Sequence, residues 1–403
     1  MTEDRSKALV TQAPTSLAPL SRLAERTLAE RAEREERALV AAMALVVGPG
    51  GYATISAAVA VARDGDTILV RPGRYLESVL VEGKSITIRG DGERDDIVVG
   101  WDKGPAFHLV DTRSTLSGLT ILGGDPHPPE PEMQAALLVT GGAPRLSWLR
   151  VTQGQGIVFG GSAAGAIEHS QIDRNDCGIL VCEGASPLIE ENEIWGNADV
   201  GIQIEDAESD PVVRANRIQG GGISVWFGAS PRIEENEIWA SALIGISISD
   251  AGSDPIIWAN RVHDGHAGIS AWDGASPRIE ENEVWANAEA GIEIRDAGTD
   301  SVVRANRVHD GQKSGISVGH GASPRIEGNE VWANAGRGIE ITGTGTSPLI
   351  IGNTVRDGLD DGISVWDSAS PTIEGNAITG NAGVSIFVFK GAHATIGRNV
   401  VCD

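Results

Sequence analysis

Short alternations of apolar and polar residues, each introduced by glycine, recur along most of the chain. Residues 201–204, 245–248 and 291–294 have the form Gly-Ile-x-Ile. This period of two predicts β-strands, because alternate side chains of a strand point to opposite faces. No helical period separates neighbouring copies, so the pattern predicts a stack of short strands.

A second motif, Ser-Pro-x-Ile-Glu-x-Asn, precedes these strands and sets the length of the repeat. Its asparagines recur at intervals of 20–24 residues, at Asn192, Asn216, Asn236, Asn260, Asn282, Asn306, Asn329, Asn353, Asn376 and Asn399. This periodicity is typical of solenoids. Without helices, it predicts an all-β fold, a right-handed parallel β-helix of about 14 coils in which stacked asparagines hydrogen-bond to one another.

Opposite charges alternate along two rows beside the asparagines. Two places before the asparagine stand Glu190, Arg214, Glu234, Trp258, Glu280, Arg304 and Glu327. One place after it stand Glu193, Arg217, Glu237, Arg261, Glu283, Arg307 and Glu330. Because consecutive coils are neighbours in a sheet, we expect both rows to form structural cross-strand pairs.

The N-terminal region follows a different pattern. Residues 1–16 are polar and are predicted to be a disordered tail, whereas residues 17–48 have the leucine spacing of a helix. That helix either packs along the solenoid or mediates assembly with a partner. A second helix, 54–63, is expected to cap the β-helix, which is predicted to occupy residues 49–403.

Composition narrows the classes of function. The 56 acidic and 32 basic residues give a formal charge of −24, which argues against a nucleic-acid or anionic-membrane ligand and favours a cationic partner. Three cysteines form neither a disulfide framework nor a metal-spaced cluster, and we expect no cofactor or metal. The start of the chain lacks a signal-type apolar core, so a cytoplasmic location is expected.

Tryptophan is the main aromatic residue, with 10 Trp against 5 Phe and 2 Tyr. One row of rings, three places after the asparagines, comprises Trp195, Trp239, His263, Trp285, His309 and Trp332. These side chains are expected to point away from the buried Ile and Val positions. They either stack on one another for structural reasons or form an extended recognition strip for a sugar polymer, a peptide or a cation.

A second outward row follows the Gly-Ile strands. Its candidate ligand-binding residues are Trp226, Trp272, Trp366, Arg295 and Asp367. Asp273, paired with Glu293 or Asp296, is a candidate acid and base, because adjacent coils bring carboxylates within the range that hydrolysis requires. The alternative is that the aspartates are turn residues that bond to their own backbone.

Two segments resemble a known superfamily. Residues 51–77, from Gly-Tyr-Ala-Thr-Ile to Gly-Arg-Tyr-Leu-Glu, and Ile-Thr-Ile-Arg-Gly-Asp at 86–91 resemble the opening of pectin-lyase-like proteins, pectin methylesterases included. The later coils resemble the CASH repeats of carbohydrate-processing proteins and certain F-box proteins. The resemblance implies a parallel β-helix with substrates on its first sheet. The catalytic segments of pectin methylesterases and the calcium cluster of polysaccharide lyases have no matching residues here.

A single catalytic site usually interrupts a repeat, and this repeat is regular. The regularity therefore favours a non-catalytic scaffold that engages a protein or extended ligand along the Trp- and carboxylate-rich face. The alternative is a carbohydrate-active lyase, hydrolase or epimerase with a saccharide ligand. Its site is then expected beside the early coils, near the proline-rich loop 123–133. A third possibility, an acidic rod that mimics DNA, conflicts with the near-neutral Glu/Arg rows.

Overall fold

The computed structural model describes residues 43–124 and 135–402. The predicted tail at 1–16, most of the predicted helix at 17–48 and most of the loop at 123–133 lie outside these residues. From Leu45 onward the chain forms one compact unit.

Three parallel sheets of 16, 15 and 14 strands build this unit, and each turn of the chain adds one strand to every sheet. The strands of sheet 1 are Leu45–Val47, Thr67–Val70, Thr87–Gly90, Thr115–Ser117, Arg145–Ser147, Ala166–Glu168, Leu188–Glu190, Val212–Arg214, Arg232–Glu234, Ile256–Trp258, Arg278–Glu280, Val302–Arg304, Arg325–Glu327, Leu349–Ile351, Thr372–Glu374 and Thr395–Ile396. Those of sheet 2 are Gly73–Leu76, Ile97–Gly100, Thr120–Leu122, Arg150–Thr152, Gln171–Asp173, Glu193–Trp195, Arg217–Gln219, Glu237–Trp239, Arg261–His263, Glu283–Trp285, Arg307–His309, Glu330–Trp332, Thr354–Arg356, Ala377–Thr379 and Val400–Cys402. Those of sheet 3 are Val79–Glu82, Phe107–Thr112, Leu137–Gly142, Ile157–Gly160, Cys177–Val181, Val200–Ile204, Ile223–Val225, Ile244–Ile248, Ala267–Ala271, Ile292–Arg295, Ile316–Gly319, Ile339–Ile341, Ile363–Val365 and Ile386–Val388.

The core is a column of aliphatic side chains enclosed by the three sheets. In one coil it receives Ile189 from sheet 1, Ile194 from sheet 2 and Ile202 with Ile204 from sheet 3, each at most 1% exposed. A coil alone leaves both sides of this layer in water, so burial requires the coils above and below. The predicted parallel β-helix is confirmed, with about 15 coils in place of the expected 14.

The glycine of the Gly-Ile motif is required by close packing. A Cβ atom on Gly291 would lie 2.4 Å from Val308 Cγ1 and 2.8 Å from the carbonyl oxygen of Gly315. One on Gly268 would lie 2.1 Å from the carbonyl oxygen of Gly291. Real Cβ atoms do not approach other atoms so closely, which explains the glycine in the Gly-Ile motif.

The asparagines form a continuous buried ladder between sheets 1 and 2. Asn282 Oδ1 accepts hydrogen bonds from the backbone N–H and Nδ2 of Asn260, at 2.9 and 3.0 Å, and Asn282 Nδ2 donates to Asn306 Oδ1 at 3.0 Å. The same contacts join successive members from Asn192 to Asn399. The structural interpretation of this row is confirmed.

The two charged rows differ from each other. On sheet 2 the predicted pairs join neighbouring coils, with Arg217 Nε 3.2 Å from Glu237 Oε2 and Arg307 Nη1 3.0 Å from Glu283 Oε1. On sheet 1 Arg214 pairs with Glu190 on the preceding coil. The later glutamates of that row instead pair with the arginine two residues earlier on their own strand, as Glu280 does with Arg278 at 2.9 Å.

The end of the predicted helix 17–48 is wrong. Leu45–Val47 is a strand whose residues pair in parallel with Ile68, Leu69 and Val70. The β-branched Val46 and Val47 favour this pleated, half-buried environment. Helix α1, Ile55–Val61, lies within the predicted range 54–63, begins after the N-cap Thr54 and buries Ile55, Ala58 and Val59. Its role as a cap stays a prediction.

Candidate functional site

A groove runs along the outer face of sheet 3. Two cavities of about 790 and 610 Å³ share Leu243 and Ile244 in their walls and together follow the coils from Ala198 to Asp360. Seven consecutive strands pass beneath them, which corresponds to about 30 Å at the spacing of β-strands. The groove is therefore long enough for an extended ligand.

The outward row of sheet 3 forms the floor of this groove and changes character along the molecule. In the early coils it is largely apolar, with Leu80, His108, Leu138, Val158 and Leu180 in register. Over the next eight coils it is polar and comprises Gln203, Ser224, Ser247, Ser270, Glu293, Ser317, Glu340 and Ser364, after which Phe387 follows. The groove begins where the row becomes polar.

Two carboxylates, Glu293 and Glu340, interrupt the serines of the floor. They lie in register two coils apart, with Ser317 between them. Ionisable residues on the floor of a groove are candidates for binding or catalysis, because their charge is available to a ligand rather than to the core.

Glu340 is held by two donors. Arg337 Nη1 lies 2.8 Å from its Oε1, and Ser314 Oγ lies 2.7 Å from its Oε2. Both donors come from turns that enter sheet 3. The carboxylate is therefore fixed in orientation and acts as an acceptor on both oxygens.

Glu293 has a different environment. Among the described residues no hydrogen bond or ion pair is made by its carboxylate, although the side chain is half-buried and lines the groove. Two residues later, Arg295 lies over the ring of Trp272, with Cζ 5.1 Å from the ring centroid. The carboxylate oxygens of Glu293 are thus available to a ligand in the groove.

The wall of the groove is formed by the turns that lead into sheet 3. The residue two places before the Gly-Ile glycine is different on almost every coil: Asp199, Gly220, Leu243, His266, Glu289, Lys313, Gly336 and Asp360. Lys313 is the only lysine between Lys103 and Lys390. Leu243 is 72% exposed although it is aliphatic. The sequence analysis missed this row; its signal is variation at one fixed position of a regular repeat.

The predicted ligand-binding residues are divided by the structure. Trp226 and Trp272 line the first half of the groove. Trp366 lies beyond it and stacks on Phe389 at 5.0 Å, with Arg337 Cζ 5.0 Å from its ring centroid. Asp367 is exposed in a turn, where its Oδ2 accepts a hydrogen bond from Thr342 Oγ1 at 3.0 Å.

Asp273 and Asp296 lie in the turns that leave sheet 3, outside both cavities. Their φ angles of 53° and 72° are in the left-handed region, which Asp tolerates better than most residues. At the equivalent place in another coil, Asp250 Oδ2 accepts a hydrogen bond from the backbone N–H of Phe227 at 3.1 Å. The structure brings Glu293 together with Glu340 on the floor rather than with these two aspartates.

The second aromatic strip lies on sheet 2. Trp239, His263, Trp285, His309 and Trp332 are stacked in sequence with interplanar angles of 6–14°. Trp195 belongs to the same register but is separated from Trp239 by Gln219.

Several buried polar atoms on the sheet 3 face have no hydrogen-bond partner among the described residues. They are Ser270 Oγ, Arg295 Nε, Arg337 Nε and Trp366 Nε1. An unsatisfied buried polar atom costs about 1–3 kcal/mol, so each such atom requires an explanation. A ligand bound on this face would supply partners for such atoms, although His263 Nε2 and His309 Nε2 on sheet 2 are unsatisfied as well.

Three further observations bear on chemistry. Within residues 43–124 and 135–402, no group of three or more His, Cys, Asp or Glu side chains is placed to hold a metal ion. No helix in the described part of the chain has both the length and the apolar character needed to span a membrane. Burial raises the pKa of the Cys177 thiol to about 12, so this cysteine is not a nucleophile near neutral pH.

Comparison with known proteins identifies the fold. The catalytic domain of a GH87 α-1,3-glucanase in complex with nigerose has a TM-score of 0.51 and 12% identity, covering 89% of this chain and 69% of that chain. The A-module of mannuronan C-5 epimerase AlgE6 from Azotobacter vinelandii has a TM-score of 0.46 and 15% identity, covering 87% of this chain and 94% of that chain. Identities this low show the fold alone.

No curated protein sequence matches the chain. The model of the family described as right handed beta helix region matches residues 145–238, 217–355 and 338–403. Because these matches extend over more than half of the chain, the protein belongs to the right-handed β-helix family and has the pectin-lyase-like fold.

Proposed function

We propose that the protein is a carbohydrate-active enzyme that hydrolyses a neutral polysaccharide in the sheet 3 groove. The observation that carries this proposal is the replacement of serine by Glu293 and Glu340 in the floor row. A purely structural row has no reason to introduce a carboxylate at two coils only, whereas a reaction centre does.

The spacing of the two carboxylates fits an inverting mechanism. Two strand spacings place their Cα atoms about 9.6 Å apart, and inverting glycosidases hold their carboxyl groups about 6.5–9.5 Å apart so that a water molecule fits between base and sugar. Retaining enzymes need about 5–5.5 Å. Side chains that lean slightly towards each other over Ser317 reach the inverting range.

The contacts of the two residues suggest different roles. Glu340 already accepts hydrogen bonds from Arg337 and Ser314 on its two oxygens, which suits a base that orients and deprotonates water. Glu293 has no such donors among the described residues and suits the acid that protonates the leaving glycosidic oxygen. Water then adds to the anomeric carbon as the bond to the protonated oxygen breaks.

The charge of the groove favours a neutral substrate. The larger cavity is lined by four carboxylates, from Glu289, Glu293, Glu340 and Asp360, against the cations of Lys313 and Arg337. A polyuronate would bring further negative charge to this surface and to a chain of formal charge −24. The aromatic faces of Trp226 and Trp272 in the smaller cavity suit the C–H faces of sugar rings.

A panel of polysaccharides tests the proposal. Neutral glucans, including α-1,3-glucan, and polyuronates are incubated with the full chain, and new reducing ends are measured. We expect hydrolysis of a neutral polymer, with NMR showing an inverted anomeric configuration. E293Q and E340Q are expected to reduce the rate at least 1,000-fold, on the order of an essential acid or base.

The matched control is E281Q, which removes one carboxylate from an exposed turn away from the groove. Hydrolysis that persists in both E293Q and E340Q would refute the assignment of the two residues. Saccharide binding without any new reducing ends would refute the enzyme proposal.

Saccharide binding without hydrolysis would support the second candidate function, a non-catalytic scaffold. The residues that form the wall of the groove favour the scaffold function. A surface whose residues differ at almost every coil can recognise a protein or an extended ligand by shape and charge. In that case we expect wall substitutions such as L243A or K313A to weaken binding while E293Q has little effect.

A further inference from the structure

The rings on sheet 2 follow a rule in which each histidine lies between two tryptophans. The ring centroids of His263 and Trp285 are 4.1 Å apart, and those of His309 and Trp332 are also 4.1 Å apart. On their other sides, His263 lies 6.4 Å from Trp239 and His309 lies 6.0 Å from Trp285. An imidazole therefore fills each gap between tryptophans on alternate coils.

Each of these imidazoles is hydrogen-bonded to one carboxylate through Nδ1, while its buried Nε2 faces a second carboxylate without a hydrogen bond among the described residues. His263 Nδ1 lies 2.7 Å from Asp264 Oδ2, and its Nε2 lies 3.8 Å from Glu237 Oε1. His309 repeats the arrangement with Asp310 at 2.7 Å and Glu283 at 3.6 Å. The gap between two tryptophans is thus shaped for an imidazole ring, with a hydrogen-bond acceptor at one ring nitrogen and a carboxylate near the other.

The rule is broken once, between Trp195 and Trp239. Gln219 occupies the register position of the missing histidine and is exposed. A cavity of about 340 Å³ is found there, lined by Gln171, Glu193, Trp195, Arg217, Gln219 and Trp239. This volume is at the lower end of the range for small-molecule sites, about 300–1,000 Å³. Two strand spacings separate the tryptophan backbones by about 9.6 Å.

The surroundings of this cavity match those of the filled gaps on the glutamate and arginine side only, because Gly220 stands where Asp264 and Asp310 follow the histidines. Glu193 precedes Arg217 in register as Glu237 precedes Arg261. Arg217 Cζ lies 5.4 Å from the Trp239 ring centroid, and Arg261 Cζ lies 5.2 Å from that of Trp285. The carboxylate that faces the imidazole Nε2 in the filled gaps therefore has its counterpart in Glu193.

We propose that the cavity between Trp195 and Trp239 is a binding site for an imidazole ring, supplied either by a small molecule or by a histidine side chain of a peptide. The ligand ring stacks between the two tryptophans, and a ring N–H donates to Glu193 or to the carbonyl group of Gln219. This site is on sheet 2 and does not depend on the function proposed for the sheet 3 groove.

The chemistry of the cavity favours this ring over other flat ligands. The protein itself places an imidazole in both equivalent gaps, so the thickness of the gap is already matched. Glu193 accepts a hydrogen bond from a neutral ring, attracts a cationic ring and repels an anionic one. Cation–π attraction from the indole faces adds to the affinity when the imidazole is protonated.

Ligand-observed NMR titration of the full chain with imidazole tests the proposal. We expect binding in the millimolar range, with W148A, which removes an exposed tryptophan outside the cavity, as the control that retains it. Q219H is expected to fill the cavity, to weaken imidazole binding at least tenfold and to raise the melting temperature. W195A is expected to weaken binding similarly, with circular dichroism confirming that it is folded.

Parallel titrations with a short histidine peptide and its alanine counterpart identify the source of the ring. Tighter binding of the histidine peptide assigns the site to a side chain, and equal affinity for free imidazole assigns it to a small molecule. Unchanged imidazole binding in Q219H would overturn the proposal. Binding of a methyl pyranoside without binding of imidazole would do the same.

Discussion

The outer faces of sheet 2 and sheet 3 are built on the same coils but follow opposite rules. On sheet 2, tryptophan and histidine alternate from Trp239 to Trp332 with nearly parallel rings. On sheet 3, serine is replaced by glutamate at two coils, and the wall beside it has a different residue on almost every coil. One face repeats and the other varies.

The difference shows how this fold separates stability from recognition. A side chain that stacks on its counterpart contributes a similar amount at every coil, so the same residue types serve throughout the row. A ligand contacts only certain coils, and the residues that recognise it need not recur. Departures from the repeat, such as Glu293 and Gln219, are therefore the places to look for function.

The asparagine ladder provides the strongest test of the regular part. In N282A the backbone N–H of Asn260, the carbonyl of Ile257 and the side-chain oxygen of Asn306 each lose a partner. At about 1–3 kcal/mol for each buried unsatisfied group, partly relieved by water, we expect a loss of about 4 kcal/mol in the free energy of unfolding. Urea denaturation measures it.

The matched control is N399A, at the C-terminal end of the ladder. Asn399 accepts from Asn376 but has no asparagine beyond it, and its surroundings are more exposed. We expect a loss of about 1 kcal/mol, the value for a typical hydrogen bond. Equal losses in the two variants would show that the ladder does not act through burial.

Trp366 and Trp272, which both follow strands of sheet 3, are expected to differ in role, the first structural and the second ligand-binding. Trp366 packs against Phe387 and Phe389, with centroid distances of 5.0 Å, so W366A is expected to cost about 3 kcal/mol. W272A loses mainly the contact with Arg295, which is worth about 1 kcal/mol. Denaturation gives the stabilities, and saccharide titration is expected to show the larger loss of binding for W272A.

A stability loss for W272A as large as that for W366A would contradict this division, because it would show that Trp272 is a structural residue. Retention of full saccharide affinity in W272A would remove it from the proposed site.

The aromatic row of sheet 2 is expected to be structural wherever it is complete. H309A removes a ring that stacks on Trp285 and Trp332, and each aromatic pair contributes about 0.5–1.5 kcal/mol, so we expect a loss of about 2 kcal/mol. Thermal and urea denaturation both report it. R356A, which removes a cation over Trp332 but no stacked ring, is the control and is expected to cost less than half as much.

Much of the fold is predictable from the sequence because the repeat expresses it many times. The period of 20–24 residues, the Gly-Ile strands and the asparagines each have one physical cause that acts on every coil. Strand Leu45–Val47 was missed because a three-residue apolar run next to a leucine-rich segment also fits a helix, and only pairing with Thr67–Val70 distinguishes the two.

The candidate site is less predictable. The outward positions of Glu293, Trp226 and Trp272 identify them as candidates from the sequence, whereas nothing in the sequence singles out Glu340. Its contacts with Arg337 and Ser314 depend on how the entering turns fold over the strand. The groove also lies along coils 198–360, whereas an enzyme site was expected beside the early coils.

The smallest predicted effect compares the apolar and polar halves of the sheet 3 row. Burial lowers the pKa of His108 below the ordinary value of 6.5, with nearby Glu82 opposing the shift, because the charged imidazole is poorly solvated among apolar neighbours. A lowered pKa in the folded state means that the unfolded chain binds more protons between the two pKa values. The contribution of His108 to the free energy of unfolding is therefore complete above about pH 6.5 and decreases as the pH falls towards the folded-state pKa.

The variant H108Q lacks this pH dependence. We therefore expect the difference in the free energy of unfolding between wild type and H108Q to change between pH 7 and pH 5. H393Q, which removes an exposed histidine, controls for net charge. A difference that is constant with pH would show that the early half of the row is as well solvated as the groove.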